Sequence, residues 1–177
     1  MEATKGVFLG SIRALARSVG VEARNPKWTS YGALEVDIFC PSRADLEIFV
    51  ATTGPLARPE FVTDLNAAPK HMTDHEILSK GRALFNAERY WECHEVLEGL
   101  WRQKKREEKS LLQGIILVCA AFVHHQKGEE EVALSVLRRG SSQLEFPRAR
   151  YGGFNVPELR KEVQRVLSLN RFTNFRV

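Results

Sequence analysis

Apolar residues recur at helical spacing along most of the chain from residue 72 onward, and this pattern predicts an all-α antiparallel helical bundle. Thr73 or Asp74 is a suitable N-cap for the first of these helices. Further along, Gly128 supplies a helix stop and Pro157 a first-turn proline. The predicted helices cover residues 74–88, 90–104, 110–126, 129–144 and 157–169, whereas residues 145–155 and 170–177 are expected to be irregular.

The first 70 residues follow a different pattern, in which an amphipathic helical stretch is succeeded by strict alternation. Leu34, Val36 and Ile38 alternate with Glu35 and Asp37, which is typical of a half-buried strand. The predicted order is helix 7–19, strand 21–24, strand 33–39, helix 43–52 and a last strand, Glu60–Leu65. This order resembles a ferredoxin-like α+β unit that lacks its first strand.

A short segment separates these two patterns. Asn66–His71 contains an Ala-Ala-Pro run and interrupts both the alternation before it and the helical spacing after it. We therefore predict an α+β protein with two domains. A small α+β unit covers residues 1–70, and an all-helical domain of about five helices covers residues 72–177.

The most informative stretch of the chain is Tyr90–Arg102, which reads YWECHEVLEGLWR. On a helix its inner face consists of apolar residues, namely Cys93, Val96, Leu97 and Leu100. His94 and Glu98 are four residues apart at the border of that face, so their side chains are neighbours. Helical projection turns Glu95 and Arg102 toward solvent, and places Glu92 on the far side of the helix.

Two interpretations of this helix remain open. In the structural one, Glu98 forms an ion pair with Arg102, and His94 is a half-buried histidine bonded to a carbonyl group. In the functional one, His94 and Glu98 are two ligands of a metal ion. The stretch lacks the second histidine of the HExxH zinc motif, and most zinc sites need three or four protein ligands.

The predicted helix 110–126 is apolar nearly all round, which indicates a position in the middle of the bundle. Gln113 is the one polar residue of its apolar part and shares a stripe with His124. If this helix forms a short-loop hairpin with helix 90–104, His94, Glu98, Gln113 and His124 lie along one seam. Bundles build metal and cofactor sites in this way. A structural network in which Gln113 bonds Glu98, with His124 and His125 at a solvated helix end, fits the same pattern.

Composition excludes few classes of protein. Apolar residues make up 44% of the chain and charged residues 27%, and no apolar run approaches the ~20 residues of a membrane span. No signal peptide is apparent. The three cysteines form no CxxC pair, so free thiols in a reducing cytoplasm are expected. The net charge of +4 collects in Arg102–Lys109 and in the tail from Arg138, which permits contact with nucleic acid.

The two helices at 90–104 and 110–126 together carry a recognisable signature. It comprises Phe85, Asn86, Tyr90, Trp91, Glu92, His94, Glu95, Glu98, Trp101, Gln113, Gly114 and His124. Over about residues 73–144 the chain resembles the family known as domain of unknown function 309. The resemblance implies a compact helical domain of bacteria and archaea, labelled a predicted metal-dependent hydrolase. It also places Glu92 and Glu95 with the site, whereas helical projection gives neither an inward direction.

These observations lead to one expected function and its alternatives. A metal-dependent hydrolase would hold one divalent ion, preferably zinc, with His94, Glu98 and His124, and would use Glu95 or Glu92 as the general base. Its substrate, a small molecule or peptide, would contact Gln113, Tyr90, Trp91 and Trp101. One alternative is a non-catalytic helical module that binds a protein through Trp91 and Trp101. The other binds nucleic acid weakly through Arg102–Lys109 and the basic tail.

Overall fold

The computed structural model of the protein describes residues 2–64, 72–145 and 149–177, with side chains from residue 6 onward. The chain divides into two compact units, Met1–Pro69 and Lys70–Val177. The first unit contains two helices and a two-stranded sheet, and the second is largely helical. The fold class is therefore α+β, as the sequence predicts.

The N-terminal unit is a helix, a hairpin and a second helix. Its elements are α1 (Glu2–Ser18), β1 (Glu22–Trp28), β2 (Leu34–Phe39) and α2 (Arg43–Thr53). The strands are antiparallel and pair from Glu22↔Phe39 to Trp28↔Leu34, with an irregularity between Arg24 and Lys27. A small core of Ile12, Ala16, Val21 and Phe49 joins the helices to the sheet.

The last predicted strand, Glu60–Leu65, does not form over its described part. Residues 60–64 are irregular, and Leu65 lies outside the described residues. Phe61 and Val62 are adjacent apolar residues that are 54% and 56% exposed. Because neighbouring residues of a strand point to opposite faces, this pair cannot place both side chains in one core. The short apolar run is therefore a poor predictor of a strand here.

The C-terminal unit consists of five helices and a small hairpin. Its helices are α3 (Asp74–Asn86), α4 (Tyr90–Trp101), α5 (Arg106–Gln126), α6 (Glu130–Ser141) and α7 (Val156–Leu169). Thr73 and Glu76 form a capping box at the start of α3. Asn155 caps α7, which has Pro157 in its first turn.

Helix α5 lies in the middle of this unit and packs against α4 on one side and α6 on the other. Ten of its residues are buried, from Leu111 to Val123. Burying a side chain such as Leu, Ile or Phe stabilises the fold by roughly 1.5–3 kcal/mol, so this helix anchors the bundle. A side chain at Gly140 would place its Cβ 3.0 Å from the Cβ of Leu117, so α5 and α6 approach closely where glycine stands.

The described parts of residues 145–155 and 170–177 form contacts that the local sequence pattern does not predict. The two-residue strands β3 (Arg150–Tyr151) and β4 (Phe154–Asn155) form a hairpin inside the link before α7. Its turn is Gly152-Gly153, and both glycines have positive φ angles, 54° and 90°, which suit a two-residue hairpin turn.

The chain end after α7 packs against the bundle. Phe172 is 7% exposed, and the Asn86 side chain bonds both the backbone N–H and the carbonyl of Val177, at 2.8 and 3.1 Å. These contacts join positions far apart in sequence, which is why the local pattern did not predict them. None of the helices in the described part of the chain combines the length and apolar character that a membrane crossing requires.

Candidate functional site

Helix α4 fixes the position of the candidate site because its inner face is fully packed. Tyr90, Cys93, Leu97 and Leu100 are each at most 1% exposed, so the rotation of the helix is set. His94, Glu95 and Glu98 follow or precede these buried residues and lie at the edge of the same helix and on its outer side. The helix therefore presents the three groups together, away from the core.

His94, Glu95 and Glu98 form a cluster, which we call the α4 cluster. Each contributes one potential ligand atom, and these atoms all lie within 4.8 Å of one another. The three side chains are 24%, 52% and 33% exposed, respectively. Glu98 is oriented from its solvent side by Arg102, whose Nη2 donates to Oε1 of Glu98 at 3.0 Å. The cluster is thus half-buried and open toward solvent.

The imidazole of His94 has a nitrogen whose bonding capacity is unused. Nδ1 is buried and has no hydrogen-bond partner among the residues that the structure describes. It lies 3.2 Å from Oε1 of Glu95, but the contact lacks the geometry of a hydrogen bond. The ring of Trp91 covers it at a centroid distance of 5.4 Å. A buried ring nitrogen without a partner is unusual and favours an additional bound group.

Glu92 lies apart from this cluster. Its two carboxylate oxygens accept from Nε and Nη2 of Arg89, both at 2.5 Å, and the two side chains are only 15% and 16% exposed. Both oxygens of Glu92, which the sequence analysis proposed as one of two general bases, are therefore engaged in a bidentate ion pair. The i,i+3 spacing of Arg89 and Glu92 is the signal that could have identified the pair beforehand.

The structure places His124 at the end of α5, beside an acid of the following turn. Its Nδ1 is 2.5 Å from Oε2 of Glu129, at the turn between α5 and α6. The next residue repeats the arrangement, with Nδ1 of His125 2.6 Å from Oε1 of Glu130. His124 is not among the described residues whose ligand atoms converge with those of His94.

The four residues predicted to contact substrate have unequal access to solvent. Tyr90 is 1% exposed and stacks on Phe122 at 4.6 Å, so it belongs to the core. Trp101 packs against the core and has the amine of Lys109 4.5 Å from its ring centre. Trp91 is 44% exposed and lies beside His94. Of the three aromatic residues, Trp91 is the one that offers a broad open surface.

Gln113 does not form the predicted network. It is half-buried, and its side chain forms no hydrogen bond with any described residue, whereas Glu98 pairs with Arg102. Of the four residues of the predicted seam, His94 and Glu98 are the two whose ligand atoms converge in the described part of the chain. Glu95 joins them in place of His124 and Gln113, because its long side chain folds back toward the imidazole of the preceding residue.

The thiols next to the cluster face the opposite way. Cys93 and Cys119 are fully buried between α4 and α5, with their sulfur atoms 3.3 Å apart. Sγ of Cys93 donates to the carbonyl oxygen of Gly81 at 3.1 Å. Burial, together with the neighbouring sulfur, raises the pKa of the Cys119 thiol well above its usual range. This pair of thiols is part of the core and supplies no ligand to the α4 cluster.

The donor set of the α4 cluster suits a divalent metal ion. One imidazole and two carboxylates provide the nitrogen and oxygen ligands that zinc and similar ions accept. Catalytic zinc sites commonly use three protein ligands and leave a fourth position for water or substrate. The partnerless nitrogen of His94 and the open outer side of the cluster meet both requirements, so the residues present fit such an ion.

Comparisons with known proteins address the family of the chain. Residues 78–136 match the family model described as Domain of unknown function (DUF309). The crystal structure of a conserved hypothetical protein from Thermus thermophilus is 35% identical, and the match covers 55% of this chain and 99% of that one, with a TM-score of 0.46. A search of curated proteins finds no match. Through its helical unit, the chain belongs to the DUF309 family.

Proposed function

We propose that the helical unit binds one divalent metal ion, preferably zinc, at the α4 cluster and uses it in a hydrolytic reaction. The observation that supports this proposal is the convergence of three ligand atoms within 4.8 Å around an imidazole with a partnerless nitrogen. A metal bound here would act as a Lewis acid and lower the pKa of a coordinated water toward ~7.

The protein groups have distinct roles in this proposal. His94 provides an imidazole ligand that lies beside the Trp91 ring. Glu98 is held by Arg102, which directs the carboxylate and limits its freedom. Glu95 supplies the third ligand, and it is the carboxylate of the cluster that no described arginine engages.

The surroundings of the cluster indicate how a substrate would approach. The exposed outer side of α4 leaves room for a group to reach the ligand atoms from solvent. Trp91 offers an apolar surface next to His94 on which an uncharged part of a substrate can pack. Glu92 is bound to Arg89, and it therefore acts in this proposal as part of the scaffold instead of as a base.

The proposed location is the cytoplasm. All three cysteines are free thiols, and two of them lie 3.3 Å apart in the core without forming a disulfide. Free thiols are the usual state in a reducing compartment.

The proposal is tested with protein purified without a histidine tag. Metal content is measured by mass spectrometry after supplementation with Zn²⁺ or Mn²⁺, and hydrolysis is assayed on panels of chromogenic esters, amides and phosphodiesters. We expect about one bound ion per chain and hydrolysis that EDTA abolishes. His94→Ala should lose both properties, and His75→Ala, which removes an exposed histidine at the start of α3, should keep them.

Two outcomes would contradict the proposal in different ways. The absence of stoichiometric metal after supplementation, or equal binding by the His94→Ala variant, would reject the metal site. Stoichiometric binding at the cluster without hydrolysis of any substrate in the panels would reject the enzymatic role and retain the metal site.

One alternative has an observation in its favour, namely a protein-binding role for α4. The 44% exposure of Trp91 is high for a residue of this size, and exposed tryptophans are frequent anchors at interfaces. Under this alternative, Trp91→Ala abolishes partner capture while metal content stays unchanged.

Nucleic-acid binding by Arg102–Lys109 has less support from the described contacts. Arg102 pairs with Glu98, Lys104 pairs with Asp74, and Lys109 covers Trp101. These three side chains are therefore already engaged within the protein. If this alternative holds, the affinity for nucleic acid should fall steeply as the salt concentration rises.

A further inference from the structure

The N-terminal unit contains a cavity of about 500 Å³ between α1 and the start of β1. Arg13 and Arg17 line it from α1, and Arg24 lines it from β1; we call it the arginine cavity. The carboxylate in its wall is that of Glu22. Positive charges in the wall therefore outnumber negative ones by three to one.

The amphipathic pattern of α1 places two of these arginines side by side. Ile12 and Ala16 are buried in the small core of the unit, at 5% and 0% exposure. Arg13 and Arg17 each follow one of these residues, so they lie one helical turn apart at the edge of the buried stripe, with exposed side chains.

The turn after α1 brings the third arginine to the same place. Gly20 has a φ of 75°, and the N–H of Val21 donates to the carbonyl of Ala16 at 3.0 Å. This reversal directs β1 back along the last turns of α1. Arg24 is then held in position, because it bonds Glu22 at 2.5 Å and lies 4.6 Å from the centre of the Phe39 ring.

The charges of the cavity are unequally compensated. Glu22 is engaged by Arg24, and this hydrogen bond, with the charges of Arg24 and Arg17, lowers the pKa of Glu22. Neither Arg13 nor Arg17 forms an ion pair with any residue whose side chain the structure describes. Like charges four residues apart on a helix repel each other. The two arginines thus leave a positive site that an anion would neutralise.

We propose that the arginine cavity binds a phosphate-bearing small molecule of about the size of a mononucleotide. Guanidinium groups match phosphate oxygens in a bidentate manner, and the two without an ion pair, Arg13 and Arg17, can hold a doubly charged phosphate. The volume falls in the range of roughly 300–1,000 Å³ that is typical of small-molecule sites. A phosphate alone would leave much of that space to water, which favours a ligand with an attached organic group.

The test uses the full chain in EDTA, so that the α4 cluster cannot contribute through a metal. Calorimetry measures binding of inorganic phosphate, pyrophosphate, AMP and a short single-stranded oligonucleotide. The double variant Arg13→Gln/Arg17→Gln removes the two uncompensated charges. Arg43→Gln on α2 is the matched control, because Arg43 is 91% exposed and pairs only with the neighbouring Glu47.

We expect AMP to bind more tightly than inorganic phosphate, and the double variant to weaken AMP binding by at least about 10-fold. The control variant should bind within about 2-fold of the original protein. An equal loss in the control, or no binding of either pyrophosphate or AMP, would overturn the proposal. Binding of the oligonucleotide without binding of AMP would also overturn it, since the occupant would then be a nucleic-acid strand. Far-UV circular dichroism checks that both variants remain folded.

Discussion

The exposed side of α4 and the turn between α5 and α6 both bring histidine next to glutamate, but in different ratios. On α4, one imidazole faces two carboxylates from its own helix, with ligand atoms within 4.8 Å. At the turn, His124 and His125 each meet a single glutamate, at 2.5 and 2.6 Å. The first arrangement is a cluster and the second is a set of separate pairs.

This difference shows why proximity of histidine and acid is not enough to indicate a site. A one-to-one pair satisfies both groups, and it also places His124 and His125 at the C-terminus of α5, where a helix favours positive charge. In the α4 cluster, two carboxylates close to one imidazole repel each other, and a divalent cation relieves that repulsion. The pairs at the turn are thus complete, whereas the cluster would gain from the proposed ion.

The largest expected effect is the loss of the imidazole ligand. His94→Ala should weaken Zn²⁺ binding by at least about 100-fold, or roughly 2.7 kcal/mol, because the cluster contains no other nitrogen ligand. His124→Ala should change the affinity by no more than about 2-fold, since His124 is paired with Glu129. Calorimetric titration of the tag-free variants measures both. Equal losses of Zn²⁺ affinity in the two variants would mean that both histidines belong to one site. This result would contradict the distinction between the α4 cluster and the turn.

A smaller effect is expected from the carboxylates. Glu98→Gln and Glu95→Gln should each weaken Zn²⁺ binding by about 10-fold, since the neutral amide keeps the shape of the side chain and removes one ligand charge. The matched change Glu129→Gln at the turn should leave the affinity unaltered. The same calorimetric titrations measure these affinities. If Glu129→Gln loses as much Zn²⁺ affinity as Glu98→Gln, the metal site does not lie at the α4 cluster alone.

The smallest effects concern the stability of the metal-free protein, and here the two regions should differ in sign. Glu129→Gln breaks a pair and should lower the free energy of unfolding by up to about 1 kcal/mol, as is usual for partly exposed ion pairs. Glu95→Gln removes one of two repelling carboxylates and should leave stability unchanged or slightly higher. Urea denaturation in EDTA compares the two variants. A larger destabilisation by Glu95→Gln would show that Glu95 supports the fold.

Much of the helical unit could be predicted from the sequence because its helices bury regular apolar stripes. The predicted range 110–126 lies inside α5, and the apolar residues of α4 that were expected to face the core are buried or packed against it. Apolar periodicity predicts helices and their buried faces well, because a single buried face sets the spacing of apolar residues along the whole helix. Gly128 and Pro157 located the breaks before α6 and α7.

The parts that escaped prediction depend on contacts between distant residues or on details of turns. Phe172 stacks on His125 at 4.6 Å, and the chain end is bonded to Asn86, although the local sequence gives no sign of either contact. His124 was expected near His94 on the basis of hairpin register. In the structure, the His124 imidazole instead contacts Glu129, which lies five residues later in the turn into α6, at 2.5 Å.

The candidate site was predicted in part. Spacing identified His94 and Glu98, because residues four apart share a helix face. Helical projection gave Glu95 no inward direction, whereas the family signature placed it with the site. A glutamate side chain is long enough to fold back, so its Oε1 lies 3.2 Å from Nδ1 of His94. The length of the Glu95 side chain thus brings its carboxylate to His94, which backbone geometry alone does not indicate.

The most direct test of the central claim follows the ring nitrogens of the histidines by NMR during titration with Zn²⁺. If the α4 cluster is the metal site, the ¹⁵N resonances of His94 shift first and the change is complete at about one equivalent. Those of His75, His124 and His125 should stay in place until zinc is in excess. A response of His124 or His125 before His94, or no response of His94 at one equivalent, would contradict the account.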